Sequence, residues 1–115
     1  MVVVGLTGGI ASGKSFVSSY LKELKIPIHE SDAVISLLYE KPTKDFLNFL
    51  KTKGFEKTLF KNTINKNQIR KEIFTNNLKR KKLEGFLHGE VKKNRDVFLK
   101  KNKNKKIIFL DIPLL

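Results

Sequence analysis

The chain has 115 residues, of which 40% are hydrophobic and 30% charged, with a formal net charge of +13; this is room for one small domain and too little for two. It contains no cysteine, which excludes disulfides and cysteine-ligated metal. The N-terminus lacks the basic region of a secretory leader, and the apolar stretch 107–115 is interrupted by Asp111 and too short to span a bilayer, so the expectation is a soluble, cytoplasmic protein with no membrane partner.

Val2-Val3-Val4-Gly5-Leu6 is a continuous apolar run rich in β-branched residues, the pattern of a parallel strand buried on both faces. Gly8 to Gly13 follows as a tight loop. Lys14 to about Leu24 reads as a helix with Phe16, Val17, Tyr20, Leu21 and Leu24 on its apolar face. Ile26–His29 is a short second strand. Ser31 has the chemistry of an N-cap for a helix to about Tyr39 that buries Val34, Ile35 and Leu38. Pro42 opens the next helix in its first turn, carrying Phe46, Leu47, Phe49 and Leu50, and Gly54 ends it or its loop. Residues 55–66 are polar and rich in Lys and Asn, which predicts a surface loop.

Asn67 to Phe74 reads as a short helix with Ile69 and Ile73 inward, broken at Asn76-Asn77. Leu78 to about Lys101 reads as a long helix with Leu83, Phe86, Leu87, Val91 and Leu99 apolar; Gly85 and Gly89 weaken it locally. Ile107-Ile108-Phe109-Leu110-Asp111 is a second strong strand, stopped by Pro113. There is no internal repeat. The order of strands and helices predicts an α/β layered fold with a parallel sheet.

Gly8-Gly9-Ile10-Ala11-Ser12-Gly13-Lys14-Ser15 fits G-x-x-x-x-G-K-[ST], the P-loop, with the required strand before it and helix after it. Glycine lets the backbone curl so that successive N–H groups converge on one anion, and the helix N-terminus adds partial positive charge there. This assigns ATP or GTP binding to Gly8, Ala11, Ser12, Gly13, Lys14, Ser15 and Phe16. Lys14 is expected on the β- and γ-phosphates, the Ser15 hydroxyl on Mg²⁺ and the Phe16 N–H on the α-phosphate.

A P-loop does not by itself name the reaction. A small-molecule kinase also needs a group to orient or deprotonate the acceptor hydroxyl and cations to hold the acceptor's phosphates. Asp32 is the candidate base, because it follows the second strand at the carboxyl edge of the sheet, where ligands sit in open α/β folds. Glu30 is placed to orient it or a metal-bound water. Both acids would equally suit a helix start favoured by the dipole alone. Asp111, at the end of a strand on the same edge, is a candidate for Mg²⁺ held through water, or simply a strand terminator. His88, beside Leu87 on a helix, has a partly buried structural histidine as its plain alternative.

The positive charge is concentrated: residues 41–106 hold 21 basic and 6 acidic side chains, whereas residues 1–40 hold 3 and 4. Such a block suits nucleic acid, a membrane surface or a phosphorylated small molecule. Three of the basic residues are Arg (Arg70, Arg80 and Arg95), and aromatic side chains do not alternate with the run 100–106. Bidentate base recognition and stacking are both disfavoured, so no nucleic-acid partner is expected and a solvated Lys-rich face is the plainer account.

Together these residues resemble the dephospho-CoA kinase family. The lead-in Val4-Gly5-Leu6-Thr7-Gly8-Gly9-Ile10 is more specific than the P-loop alone. His29-Glu30-Ser31-Asp32-Ala33 sits where the family has an Asp-x-Asp segment. Arg70-Lys71-Glu72-Ile73-Phe74-Thr75-Asn76, Leu87-His88 and Leu110-Asp111-Ile112-Pro113-Leu114-Leu115 are similar to three later family segments, in family order.

The resemblance implies a three-layer P-loop nucleoside triphosphate hydrolase fold, incomplete at the C-terminus. It implies ATP- and Mg²⁺-dependent phosphorylation of the ribose 3′-hydroxyl of dephospho-CoA, the last step of CoA synthesis. Asp32 would be the base, Lys14 would act on the phosphates, Arg70 and His88 would bind the acceptor, and Ser15 and Asp111 would hold the metal. Residues 1–40 and 107–115 would form the nucleotide-binding core, and residues 41–106 the helical part covering the acceptor. It also implies that the first strand neighbours the third, with its far edge unpaired, so that the 115-residue chain alone is expected to be marginally stable and catalytically weak. Four positions depart from the family: Ala11 for a glycine, Glu30 for the first Asp, Gly89 for a Pro, and the stop at Leu115. Another small-molecule or nucleotide P-loop kinase, a nucleic-acid-binding NTPase and a nonenzymatic nucleotide-binding fragment remain as alternatives.

Overall fold

The computed structural model describes residues 2–6 and 14–111, with the side chains of Lys14 and Ser15 outside the description. The elements in chain order are β1 (Val2–Leu6), α1 (Lys14–Glu23), β2 (Ile28–Glu30), α2 (Ser31–Glu40), α3 (Lys44–Thr52), a one-turn 3-10 helix (Glu56–Thr58), β3 (Leu59–Phe60), β4 (Thr63–Ile64), α4 (Lys66–Thr75), α5 (Asn77–Lys101) and β5 (Ile107–Asp111). They divide into two compact units, Met1–Ala33 with Lys92–Leu115, and Val34–Val91. No helix among the described residues is long and apolar enough to cross a membrane.

The first unit holds a parallel three-stranded sheet in the order β1-β5-β2. Leu6 and Glu30 both pair with Asp111, so all three strands end at one level. Parallel strands need crossover connections, and α1 provides one after β1. Ile108 in the middle strand is fully buried. β1 departs from the expectation of burial on both faces, since Val2 and Val3 are 59% and 47% exposed. Among the described residues it is hydrogen-bonded on one side only, to β5, which agrees with the unpaired far edge that the resemblance implied.

α1 also differs from its predicted apolar face. Ser18 and Leu21 are buried, but Phe16, Val17, Tyr20 and Leu24 are exposed. The inward row is an i, i+3 pair, narrower than the five-residue stripe in the sequence. The helix ends at Glu23, and Lys25 beyond it has a positive φ of 58° that accompanies the hydrogen bond from Ile26 N–H to the Leu21 carbonyl.

The second unit has its own core of Leu38, Phe46, Leu50, Phe55, Ile64, Ile69, Leu83 and Leu87. Phe86 stacks between Phe46 and Phe49, with centroid distances of 5.3 and 4.7 Å. Pro42 lies ahead of α3 rather than in its first turn, because the Thr43 hydroxyl is the N-cap and accepts from Phe46 N–H. Gly54 follows the helix with φ +91°, a left-handed conformation that favours glycine.

The segment 55–66 is not a surface loop. Phe55 and Thr58 are buried, the Thr58 hydroxyl donates to the Phe55 carbonyl at 2.6 Å, and β3 and β4 form a short antiparallel hairpin. Its composition hides this, since only Phe55, Leu59, Phe60 and Ile64 are apolar and the two-residue strands are too short to show alternation. Asn76 breaks the chain as expected and also caps α5, its side-chain carbonyl accepting from Lys79 N–H. α5 runs unbroken through Gly85 and Gly89.

Candidate functional site

The carboxyl edge of the sheet gathers Leu6, Asp111 and Glu30 at one register level. Leu6 is where the glycine-rich segment departs, and Lys14 is where α1 begins. The phosphate-binding residues expected at Gly8, Ala11, Ser12 and Gly13 lie outside the described residues, as do the side chains of Lys14 and Ser15. Phe16 stands in the first turn of α1 with its ring 78% exposed, so its contribution to a phosphate site rests on its backbone.

Asp32 occupies the first turn of α2 with an exposed side chain. Ser31 fixes that helix start in a way the sequence did not suggest. It is the first helical residue rather than a flanking cap, and its buried hydroxyl donates to the Asp111 carbonyl at 3.0 Å. The start of α2 is thereby tied to the end of β5. Glu30 is drawn into an ion pair with Lys22 at 2.6 Å, so its carboxylate is engaged with α1.

Asp111 is buried, with 8% exposure, at the end of β5. Its carboxylate is a hard oxygen donor of the kind Mg²⁺ takes, and Mg²⁺ needs only one or two protein carboxylates beside substrate phosphates. This part of the expected donor set therefore suits the ion.

His29, which the sequence reading did not single out, is buried in β2. Its Nε2 is 2.8 Å from Asn94 Oδ1, and its ring lies 5.4 Å from that of Phe98. It fastens β2, and hence the strand that leads into Asp32, to the last turns of α5. The signal was a polar residue alternating with Ile28 in a strand only three residues long, too little to read.

In the second unit, Arg70 lines a groove of about 330 Å³ with Ile35, Ser36, Tyr39, Lys66, Ile69 and Ile73. Lys66 Nζ stands 5.5 Å from the Tyr39 ring centroid. Burial pushes the Tyr39 phenol above its ordinary pKa, and the neighbouring Arg70 charge offsets part of this. Arg70 was expected to bind acceptor; Tyr39 and Lys66 were not. The available clue was Lys66 and Arg70 at i, i+4 on one helix face. His88 is exposed on α5 beside buried Leu87 and does not line the groove.

A sequence model described as CoaE, dephospho-CoA kinase, matches residues 2–115. The chain is 38% identical over 116 residues to a dephospho-CoA kinase of Fusobacterium nucleatum, covering 100% of this chain and 58% of that protein. It is 36% identical over 117 residues to a dephospho-CoA kinase domain-containing protein of Danio rerio, covering 100% of this chain and 51% of that one. A crystal structure from Thermus thermophilus superposes with a TM-score of 0.70 at 23% identity, covering 97% of this chain and 56% of that one, a likeness of fold. The chain thus spans somewhat over half the length of these relatives.

Proposed function

The chain belongs to the dephospho-CoA kinase family, and on that premise we propose that it carries the nucleotide-binding and acceptor-binding parts of an enzyme that transfers the γ-phosphoryl group of ATP to the ribose 3′-hydroxyl of dephospho-CoA. The observation that supports this best is the alignment of Leu6, Glu30 and Asp111 at one sheet edge, with Asp32 in the first helical turn beyond. Ligands of open α/β folds sit outside the carboxyl ends of the strands, and an exposed carboxylate at that edge suits an acceptor hydroxyl.

In this reading the 3′-oxygen attacks the γ-phosphorus, its proton passes to Asp32, and the bond to the β,γ-bridging oxygen breaks to release ADP. Backbone N–H groups from Gly8 to Phe16, including those of Ala11, Ser12 and Gly13, cradle the phosphates, and Lys14 neutralises the charge that develops on them. Ser15 and Asp111 would hold Mg²⁺, which supplies further charge neutralisation when bound. The Ser31–Asp111 hydrogen bond keeps the base at a constant height above the sheet. Residues 1–40 and 107–115 serve the nucleotide, and residues 41–106 the acceptor through Arg70 and His88.

The test is ADP release measured with dephospho-CoA, nucleoside monophosphates and shikimate-like alcohols as acceptors, in the chain and in a full-length relative bearing the same residues. Dephospho-CoA should be preferred, and Asp32→Asn should lower turnover about 10²- to 10⁴-fold with ATP binding retained. Undiminished turnover in that variant would remove Asp32 from the mechanism.

A further inference from the structure

The two edges of the sheet in the first unit differ in chemistry. The carboxyl edge carries the candidate site, and the amino edge carries lysines. β5 is 5 residues long, so its ends lie about 13 Å apart. The short turn 102–106 joins the end of α5 to the start of β5, which brings Lys100, Lys101, Lys103, Lys105 and Lys106 to the amino edge. α1 connects the parallel strands β1 and β2, so it runs back from the carboxyl edge and Lys25 joins them there. The turn is held by its backbone and by Asn102. Asn102 N–H and Nδ2 both donate to the Phe98 carbonyl, at 3.1 and 2.8 Å, and Lys105 N–H donates to the Asn102 carbonyl at 3.0 Å. All of these lysines are exposed, and none forms an ion pair among the described residues. Of residues 2–6, 21–28 and 97–110, only Glu23 is acidic.

Apolar side chains stand among these cations. Val2 and Ile107 are register partners, so they share a face of the sheet, and both are exposed. Leu24, beside Lys25 just past the end of α1, is 52% exposed. Such a surface suits anionic phosphates that border hydrocarbon better than it suits nucleic acid. Lysine is a point charge that needs no fixed partner geometry. Residues 97–110 hold no Arg and no exposed aromatic side chain, so neither base readout nor stacking is supplied there. Exposed Val, Leu and Ile gain nothing from a phosphate backbone, whereas they are buried at the boundary between head groups and acyl chains. A surface contact of this kind needs no spanning helix.

We propose that the amino edge of this sheet is a reversible contact surface for anionic phospholipid membranes, with Lys25 and the lysines of 100–106 on the head-group phosphates and Leu24 and Ile107 at the acyl boundary. The contact turns the carboxyl edge, with its candidate site, away from the lipid and toward solvent. It does not rest on the phosphoryl-transfer reading.

Flotation of the chain with vesicles tests it, since aggregated protein sinks while vesicle-bound protein rises. The vesicles are phosphatidylglycerol and phosphatidylcholine in equal parts, or phosphatidylcholine alone. The chain should float with the anionic vesicles at low salt and not with the neutral ones. It should stay at the bottom in about 1 M NaCl, where charge interactions reach only about 3 Å. Each lysine near an anionic surface raises partitioning about fivefold, so Lys103→Gln, Lys105→Gln and Lys106→Gln together should weaken it about 10²-fold. Lys51→Gln, Lys53→Gln and Lys57→Gln make the same charge change in the second unit and should alter it less than about threefold. Every substituted side chain is exposed, so far-ultraviolet circular dichroism should not change in either variant, and the lipid and salt comparisons need no variant. Duplex DNA at equal phosphate concentration should leave most of the chain on the vesicles. The proposal is overturned by no flotation with anionic vesicles, by equal flotation with neutral ones, by equal losses in the two triple variants, or by complete transfer to DNA, which would assign the surface to nucleic acid. Each of these results leaves the kinase reading standing.

Discussion

Lys79 holds the second unit together more than its charge suggests. Its ammonium donates to the Gly54 carbonyl at 2.7 Å, stands 5.4 Å from the Phe55 ring centroid and lies 3.8 Å from Glu72 Oε1. The side chain is 29% exposed and that of Glu72 14% exposed, so these contacts are only partly screened by water. Lys79→Met keeps the aliphatic stem and removes the charge. A hydrogen bond from a charged donor contributes about 1.5–3 kcal/mol. A cation over a ring adds about 0.5–1 kcal/mol. The Glu72 pair is long and is counted as nothing, but its loss leaves a mostly buried carboxylate without a counter-charge. Because these terms share one group and do not add fully, the expected loss is about 2–3 kcal/mol. Urea unfolding of the two proteins, followed by circular dichroism at matched pH and salt, gives the difference. Adding Glu72→Gln to Lys79→Met should restore part of the loss by removing the stranded charge. A change of under about 0.5 kcal/mol in Lys79→Met, the range of an ordinary surface substitution, would show that the three contacts do not stabilise the fold.

Gly85 and Gly89 lie inside α5, and a Cβ on either meets nothing within 4 Å. Each Gly→Ala change should therefore stabilise the chain by about 0.5–1 kcal/mol, read as a higher urea midpoint. Ser31→Ala removes the buried hydrogen bond to the Asp111 carbonyl and should cost about 1 kcal/mol in the same measurement. The Tyr39 phenol has a higher pKa folded than unfolded, so its contribution is complete below about pH 10 and is lost as pH rises through the folded value. The fall in stability across that alkaline window should be shallower in Tyr39→Phe than in the unmodified chain.

How much of this was legible in the sequence depended on the range of the interactions involved. The strand of Val2–Leu6, the glycine-rich motif with Lys14 and Ser15 and the strand ending in Asp111 are local signals, written in runs of β-branched residues and glycines within a few positions. Those signals placed Asp32 and Asp111 at the strand ends and carried the family likeness. What they could not convey was which neighbour each face would meet. Apolar composition alone did not reveal that α1 buries Leu21 while exposing Phe16, or that Phe55 sits in a core inside a lysine-rich stretch.

The same limit applies to the sites. Arg70 was readable from its motif, but Tyr39 and Lys66 are 27 residues apart and share a groove only because the fold brings α2 and α4 to one space. Ser31 looked like a cap by its position, yet its hydroxyl bonds a carbonyl 80 residues away. By itself the sequence determined the longer helices, the strands at Val2–Leu6 and Ile107–Asp111, the phosphate-binding motif and the excess of positive charge, because each is a property of residues near one another in the chain. Only the tertiary structure decided which cations face a common space, which acids are already paired and which apolar residues are buried, because those depend on contacts between segments whose spacing carries no local pattern.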